Sequence, residues 1–323
     1  MQNSMRNAKA SSIRSQWLNG LAALLLGAAA MTVQAQAPLP VPLIKEGVTV
    51  KVSDHVWVIP DGLVPVVPNV GIIVGSRATL IVDTGLGIRN GETVLRELAK
   101  VSKNTEVYVA TTHFHAEHTT GGVAFPATYK FIRPQAQQKD VEEFGASFFK
   151  MFEARSPEMA ALMKGSDYPR AEILFERDYT LDLGGVRVQM TWLGPTHTRG
   201  DTAIFVEGEN VLFAGDLAMK QLFPAFASPY GDVNVWLSSL DKLDAMRPKV
   251  VVGSHGGIGD ASMISAYRDV LKGIGARTKE LKAEGKSEAD IGKQLTDEFA
   301  KKYPDWIAPV RVPATVAVYY KMP

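Results

Sequence analysis

The sequence predicts a mixed α/β (α+β) fold: two β-sheets packed face to face, helices outside them, and a helical insertion between two similar halves. Three observations point to it. Short β-type runs bounded by Gly, Asp and Ser turn signals occur in two series, each joined to a segment of helical spacing. A Phe- and Met-rich helical stretch separates the two series. Hydrophobic residues make up 46% and charged residues 21% of the 323, the composition of a globular chain with a full core.

The elements follow in order. Strands are expected at residues 48–52, 56–59, 70–74 and 79–82, separated by Ser53-Asp54, Asp61-Gly62 and Gly75-Ser76. The three prolines between 60 and 68 make that stretch an exposed loop. Val94, Leu95 and Leu98 form the apolar stripe of a helix over 91–100. Residues 106–111 read as a buried strand that delivers His113 to its carboxyl end, and 128–132 as another strand. The insertion, 134–165, carries Phe144, Phe148, Phe149, Met151, Phe152, Met159 and Met163. It reads either as helices packed on the core or as an apolar, adaptable cover over a site. Strands at 186–192, 202–206 and 211–214, a helix at 233–246 and a strand at 249–252 make the second series. Helices over 261–281 and 288–302 close the chain, with Gly273 and Gly275 as possible breaks.

The first 35 residues differ in kind. Arg6, Lys9 and Arg14 form a basic head, an apolar stretch follows, and Val33-Gln34-Ala35 offers the small-x-small pattern of signal-peptide cleavage. Export to the periplasm or medium after cleavage near Ala35 is expected, with no stable membrane insertion afterwards. Residues 36–46 are a proline-rich leader, and 47–323 form the folded domain. Removing residues 1–35 leaves 32 basic against 34 acidic residues, a net of −2. No basic excess remains to hold a phosphate backbone, so nucleic acid is excluded as a partner and a small-molecule substrate is expected. The absence of cysteine excludes disulfides and thiolate ligands.

The chemistry concentrates in Thr-Thr-His-Phe-His-Ala-Glu-His-Thr-Thr-Gly-Gly, where His113, His115, Glu117 and His118 fall within six residues. The chain has six histidines, three of them here. Imidazole nitrogens and carboxylate oxygens are zinc ligands, and this density suits two metals. Three further strand ends carry ligand-type residues beside small ones: His197 in Gly-Pro-Thr-His-Thr-Arg-Gly-Asp, Asp216 in Phe-Ala-Gly-Asp, and His255 in Val-Gly-Ser-His-Gly-Gly.

With these segments in this order, the chain resembles the metallo-β-lactamase superfamily. That family's signature, H-x-H-x-D-H, is followed by a distant histidine, an aspartate and a final histidine. The likeness runs from about residue 48 to the helix after His255. It implies a four-layer αββα sandwich with a binuclear metal site at one edge of the sheets. Position by position, it assigns His113, His115 and His197 to a first zinc, Glu117, His118 and His255 to a second, and Asp216 to a bridge. Val82-Asp83-Thr84-Gly85 matches the family's early aspartate motif, in which Asp83 would orient the histidine loop rather than bind metal. Glu117 departs from the pattern, standing where the family has aspartate. The extra methylene opens the second position to vacancy, or to iron or manganese.

Two zinc ions per chain would lower the pKa of metal-held water toward neutrality and supply a nucleophile. The reaction implied is opening of a cyclic amide or ester, β-lactamase-like, with Glu117 also a candidate for holding the proton. A lactonase or other ester hydrolase is the alternative. From another class, iron in the same loops would give a redox protein, or the chain would be an auxiliary metal-binding protein. Lys220 and Arg199 are candidates for binding a substrate carboxylate.

Overall fold

Each sheet grows from the period-two alternation of its strands, one face of which meets the other sheet. The computed structural model describes residues 40–322; the expected signal peptide and the first part of the expected leader lie outside the described residues. The first sheet has seven strands in chain order: β1 (Val50–Ser53), β2 (Val56–Ile59), β3 (Val70–Val74), β4 (Ala78–Val82), β5 (Glu106–Ala110), β6 (Lys130–Pro134) and β7 (Ile173–Phe175). It is antiparallel from β1 to β4 and parallel from β4 to β7. The second sheet has β8 (Asp178–Asp182), β9 (Arg187–Trp192), β10 (Thr202–Val206), β11 (Val211–Gly215) and β12 (Val250–Gly253), in the order β12-β11-β10-β9-β8. Only β11 and β12 run parallel there.

Leu80 and Val82 of β4 face inward and share one buried cluster with Val188, Ile204, Val211 and Phe213 of the second sheet. Ile81 turns outward, onto Val94 and Leu98 of α1 (Gly87–Val101). Leu212 and Ala214 turn outward on the other side, toward Trp236 and Leu240 of α5 (Val233–Ala245) and Tyr267 of α6 (Ser262–Ala283). The result is helix, sheet, sheet, helix. This is the four-layer arrangement that the sequence predicts.

The insertion forms α3 (Gln135–Glu153) and α4 (Pro157–Met163), following the short α2 (Ala116–Thr119). Phe152, Met159 and Met163 are buried with Leu86 and Ala116, while Phe148 and Met151 face a cavity. The insertion is therefore core on one face and cavity wall on the other.

Three expectations need correction. Gly273 and Gly275 do not break α6, because they are the contact points for aromatic rings. A Cβ at Gly275 would lie 2.4 Å from the Tyr319 ring, and one at Gly273 3.3 Å from Phe299. Beyond α7 (Glu288–Lys302) stands a further helix, α8 (Val312–Lys321), where β-branched residues do not suggest one. Burial of Val312 and Val316 against α6 and α7 overrides that preference. The short edge strand β7 is also additional. Among the described residues, no helix is long and apolar enough to cross a membrane.

Candidate metal centre

Parallel pairing aligns the carboxyl ends of β4, β5, β11 and β12, and the loops that leave them carry the site. Asp83 follows β4, the histidine run follows β5, Asp216 follows β11 and His255 follows β12. The loop between β9 and β10 adds His197.

The structure brings the ligand-type residues together in two triads. His113 Nε2 lies 2.9 Å from His115 Nδ1, which is 3.4 Å from His197 Nε2. A tetrahedral ion with bonds of 2.0–2.1 Å spaces its nitrogens about 3.3 Å apart. Glu117, His118 and His255 make the second group, and the candidate ligand atoms in each group lie within 4.8 Å of one another. Asp216 stands between them, its Oδ2 3.4 Å from His197 Nε2 and its Oδ1 3.9 Å from His255 Nε2. All seven side chains are buried or nearly so.

Outward-facing hydrogen bonds aim the rings. His118 Nδ1 donates to Asp83 Oδ2 at 2.9 Å, His255 Nδ1 to the Val67 carbonyl at 2.8 Å, and His197 Nδ1 to the Ala225 carbonyl. Each bond makes Nδ1 the outward donor and turns Nε2 inward, toward the other ligand-type atoms. Asp83 also accepts Thr112 N–H at 2.7 Å and its hydroxyl at 2.9 Å. It thus holds the histidine loop from beneath.

The donor set fits a divalent cation. Glu117 Oε2, His118 Nε2 and Asp216 Oδ1 are buried with no partner in the protein, and such atoms are costly unless something binds them. Burial, with neighbouring imidazoles, holds His113 and His115 well below the usual histidine range, so both are neutral ligands. Burial pushes His118 down too, but the charge and hydrogen bond of Asp83 raise it to about 9. Burial pushes Asp216 up, yet His197, His255, His118 and Arg311 together hold it below the usual carboxylate range.

The cavity above the centre is about 320 Å³. Its polar floor includes His115, Glu117, His197, Asp216 and His255; Leu63, Val64, Phe148, Met151, Leu222 and Ile307 supply apolar wall. Phe148 stacks on His115, centroids 4.7 Å apart and planes 18° apart.

The two candidate substrate-binding residues stand elsewhere. Lys220 is exposed and outside the cavity; its Nζ donates to the Ile258 carbonyl at 3.4 Å. Arg199 is consumed by ion pairs with Asp140, at 2.9 Å, and with Glu143, and lies over the Tyr230 ring. It ties the His197 loop to α3 and does not line the cavity.

Several contributors escape sequence reasoning. Asp61 Oδ2 accepts Gly256 N–H at 2.6 Å, and Asn69 Nδ2 donates to the carbonyls of Gly253 and Gly256, both at 2.9 Å. The loop expected to be merely exposed is thus clamped to the His255 turn, with Asp61, Val67 and Pro68 buried. Asp140 Oδ2 accepts Gly200 N–H at 2.8 Å, and Gln137 Nε2 donates to the Thr111 carbonyl at 3.0 Å. The Asp61-Gly62 turn signal is the one local hint of these links.

Comparison with known proteins agrees with this geometry. Metallo-beta-lactamase type 2 of Bacteroides fragilis is 27% identical over 113 residues, which are 34% of this chain and 45% of that protein. The linear primary-alkylsulfatase of a Pseudomonas species is 24% identical over 215 residues, 57% of this chain and 40% of that protein. The chain spans less than half the length of these two curated relatives. The solved metallo-beta-lactamase from Pontibacter korlensis shares the fold with a TM-score of 0.56 at 19% identity, covering 69% of this chain and 98% of that one. The family model described as the metallo-beta-lactamase superfamily matches residues 63–255, more than half of the sequence. The chain belongs to the metallo-β-lactamase superfamily.

Proposed function

We propose that the protein is an exported, binuclear metal-dependent hydrolase that opens an ester or cyclic amide bond in a small, largely apolar substrate. One observation carries the reading: Glu117 Oε2, His118 Nε2 and Asp216 Oδ1, buried and, like His115 Nε2, without protein hydrogen-bond partners, lie beside the neutral imidazoles of His113 and His115 beneath an apolar cavity. His113, His115 and His197 would hold one zinc, Glu117, His118 and His255 a second, and Asp216 would serve both. When bound, such ions supply Lewis acidity and bring the pKa of water toward neutrality.

The remaining work falls to the chain. Asp83 keeps a proton on His118 Nδ1, the Val67 and Ala225 carbonyls do the same for His255 and His197, and each ring is held with Nε2 facing the centre. Phe148 covers His115 and excludes water from that side. Glu117, on the cavity floor, can take up or return a proton at Oε2 if the second position is empty. The apolar walls hold the body of the substrate. The basic head, apolar stretch and Val33-Gln34-Ala35 support export; N-terminal sequencing of protein from the periplasm should begin at Gln36.

A second reading, sulfate-ester hydrolysis, is supported by the relative named as an alkylsulfatase and by walls suited to an alkyl chain. The test is elemental analysis of the purified protein, then assay with a 4-nitrophenyl ester, a lactone, a chromogenic cephalosporin and an alkyl sulfate. The substrate turned over identifies the bond. His113→Ala should lose metal and reduce kcat/KM by about 100-fold or more. Full activity in that variant would remove the assignment. Bound iron with a visible absorption band and no hydrolysis would favour the redox reading.

A further inference from the structure

We propose that Arg311 anchors an oxyanion, carboxylate or sulfate, on an apolar substrate, so that the cavity selects anionic ligands over neutral ones of equal size. The inference rests on the reading of the cavity as the substrate site. It adds a specificity residue from a segment beyond residues 63–255, where the family match ends.

Arg311 lines the same cavity as His197 and Asp216. Among the described residues its guanidinium makes no ion pair, and its one side-chain hydrogen bond, Nη1 to the Phe223 carbonyl, is 3.4 Å long. A guanidinium carries five donors in a planar fork that matches carboxylate or sulfate geometry, so most of its capacity is unspent. The other cations near the site are occupied or displaced. Arg155 also lines the cavity and makes no ion pair among the described residues, but it leans on the Phe152 ring, 4.0 Å from its centroid, and lacks the hydrogen bond that fixes Arg311. Arg199 is paired with carboxylates, and Lys220 is outside.

The position of Arg311 is built, not incidental. Ile307 N–H donates to the Gln221 carbonyl at 2.8 Å, and Phe223 N–H to the Ile307 carbonyl at 3.2 Å. Ala308 then turns the chain through the left-handed region, φ 57°, a conformation disfavoured for a non-glycine residue. Directly after Arg311, Val312 starts α8 and is buried against α6 and α7. A cation at the amino end of a helix opposes the dipole. An anion at the same place satisfies both.

The rest of the mouth suits an apolar body. Leu63 is 69% exposed, Ile307 53% and Met151 43%, all three on the cavity wall, and Val310 beside them is 78% exposed. Single exposed apolar residues are ordinary, but several on a wall that also carries an unpaired guanidinium describe the surface of an amphiphile in reverse.

The test is calorimetric binding of octanoate, octyl sulfate and 1-octanol to the full chain, zinc-loaded and metal-free. Wild type should bind at least one of the anions tenfold or more tighter than octanol, and the preferred anion tells carboxylate from sulfate. Arg311→Met, which keeps the apolar stem, should erase that preference, and Arg311→Lys should retain part of it. Unchanged metal content and thermal midpoint would show that both variants are folded. No preference in wild type, or the same preference in Arg311→Met, overturns the proposal. Absence of ester turnover alongside a lost preference in Arg311→Met would reject the hydrolase reading and leave the anchor standing.

Discussion

Asp83 and His118 form a buried pair in which Asp83 Oδ2 accepts the imidazole Nδ1 proton at 2.9 Å, from a backbone held at φ 63°. The left-handed backbone lets one carboxylate reach both His118 and Thr112, so a single turn residue fixes two parts of the histidine loop. Asp83→Asn keeps a side chain tolerant of that conformation but removes the charge. We expect metal affinity to fall by about 10–100-fold with the fold intact. Competition with a calibrated chelator measures it, and unaltered affinity would mean that the pair does not support the centre.

On the proposed binuclear reading, Glu117 decides the stoichiometry. Its Oε2 has no partner and its Oε1 lies 3.8 Å from His118 Nε2. In Glu117→Ala, elemental analysis should show one ion per chain instead of two, with the His113, His115 and His197 group still loaded. Glu117→Asp should restore the second ion. Two ions in the alanine variant would show that Glu117 is no ligand.

Asp140 links α3 to the His197 loop, and burial pushes its carboxyl up to about 6 against the pull of Arg199 and Gly200 N–H. Between the ordinary value of 3.8 and 6, the native state binds more protons than the unfolded chain. Its stability contribution therefore declines as pH rises through that window. Asp140→Asn has no such proton. The stability of wild type relative to this variant should drop by up to about 3 kcal/mol from pH 4 to 6 and level off above 7. Urea denaturation at several pH values reads it; the opposite slope would show that the Arg199 pair outweighs burial.

Gly200 marks the same junction sterically. A Cβ there would lie 2.2 Å from Gln137 Cα and 2.5 Å from Gln137 N, both backbone atoms at the start of α3. Gly200→Ala must displace the helix or the loop, at about 2–3 kcal/mol. A thermal midpoint lowered by several degrees checks this, and an unchanged one would show a looser junction.

The sheets were legible because Leu80, Ile81 and Val82 alternate between two buried faces, a pattern that survives in sequence. The histidine run was legible because its members are neighbours in the chain. The clamps were not: Asp61 meets Gly256 across 195 positions and Asp140 meets Gly200 across 60, and neither acid differs locally from a surface one. The helix α8 was hidden by Val312-Pro313-Ala314-Thr315-Val316, whose local preference is extended and whose helicity comes from packing. Arg311 was hidden with it. Lys220, close in sequence to Asp216, was misleading because the chain after β11 turns its side chain away from the cavity.

The cavity draws its floor and its walls from different sources. The candidate ligand residues stand at strand ends locked by two sheets, whereas the apolar walls and Arg311 come from four separate segments: the turn at 61–66, α3, residues 222–227 and residues 307–311. Substitution of a wall side chain that holds no site loop, such as Leu63, Met151 or Ile307, can reshape what enters without moving a donor atom. Substrate preference in this protein is therefore free to drift while its reactive centre stays constant, and the C-terminal helices are the part through which a new preference could be acquired.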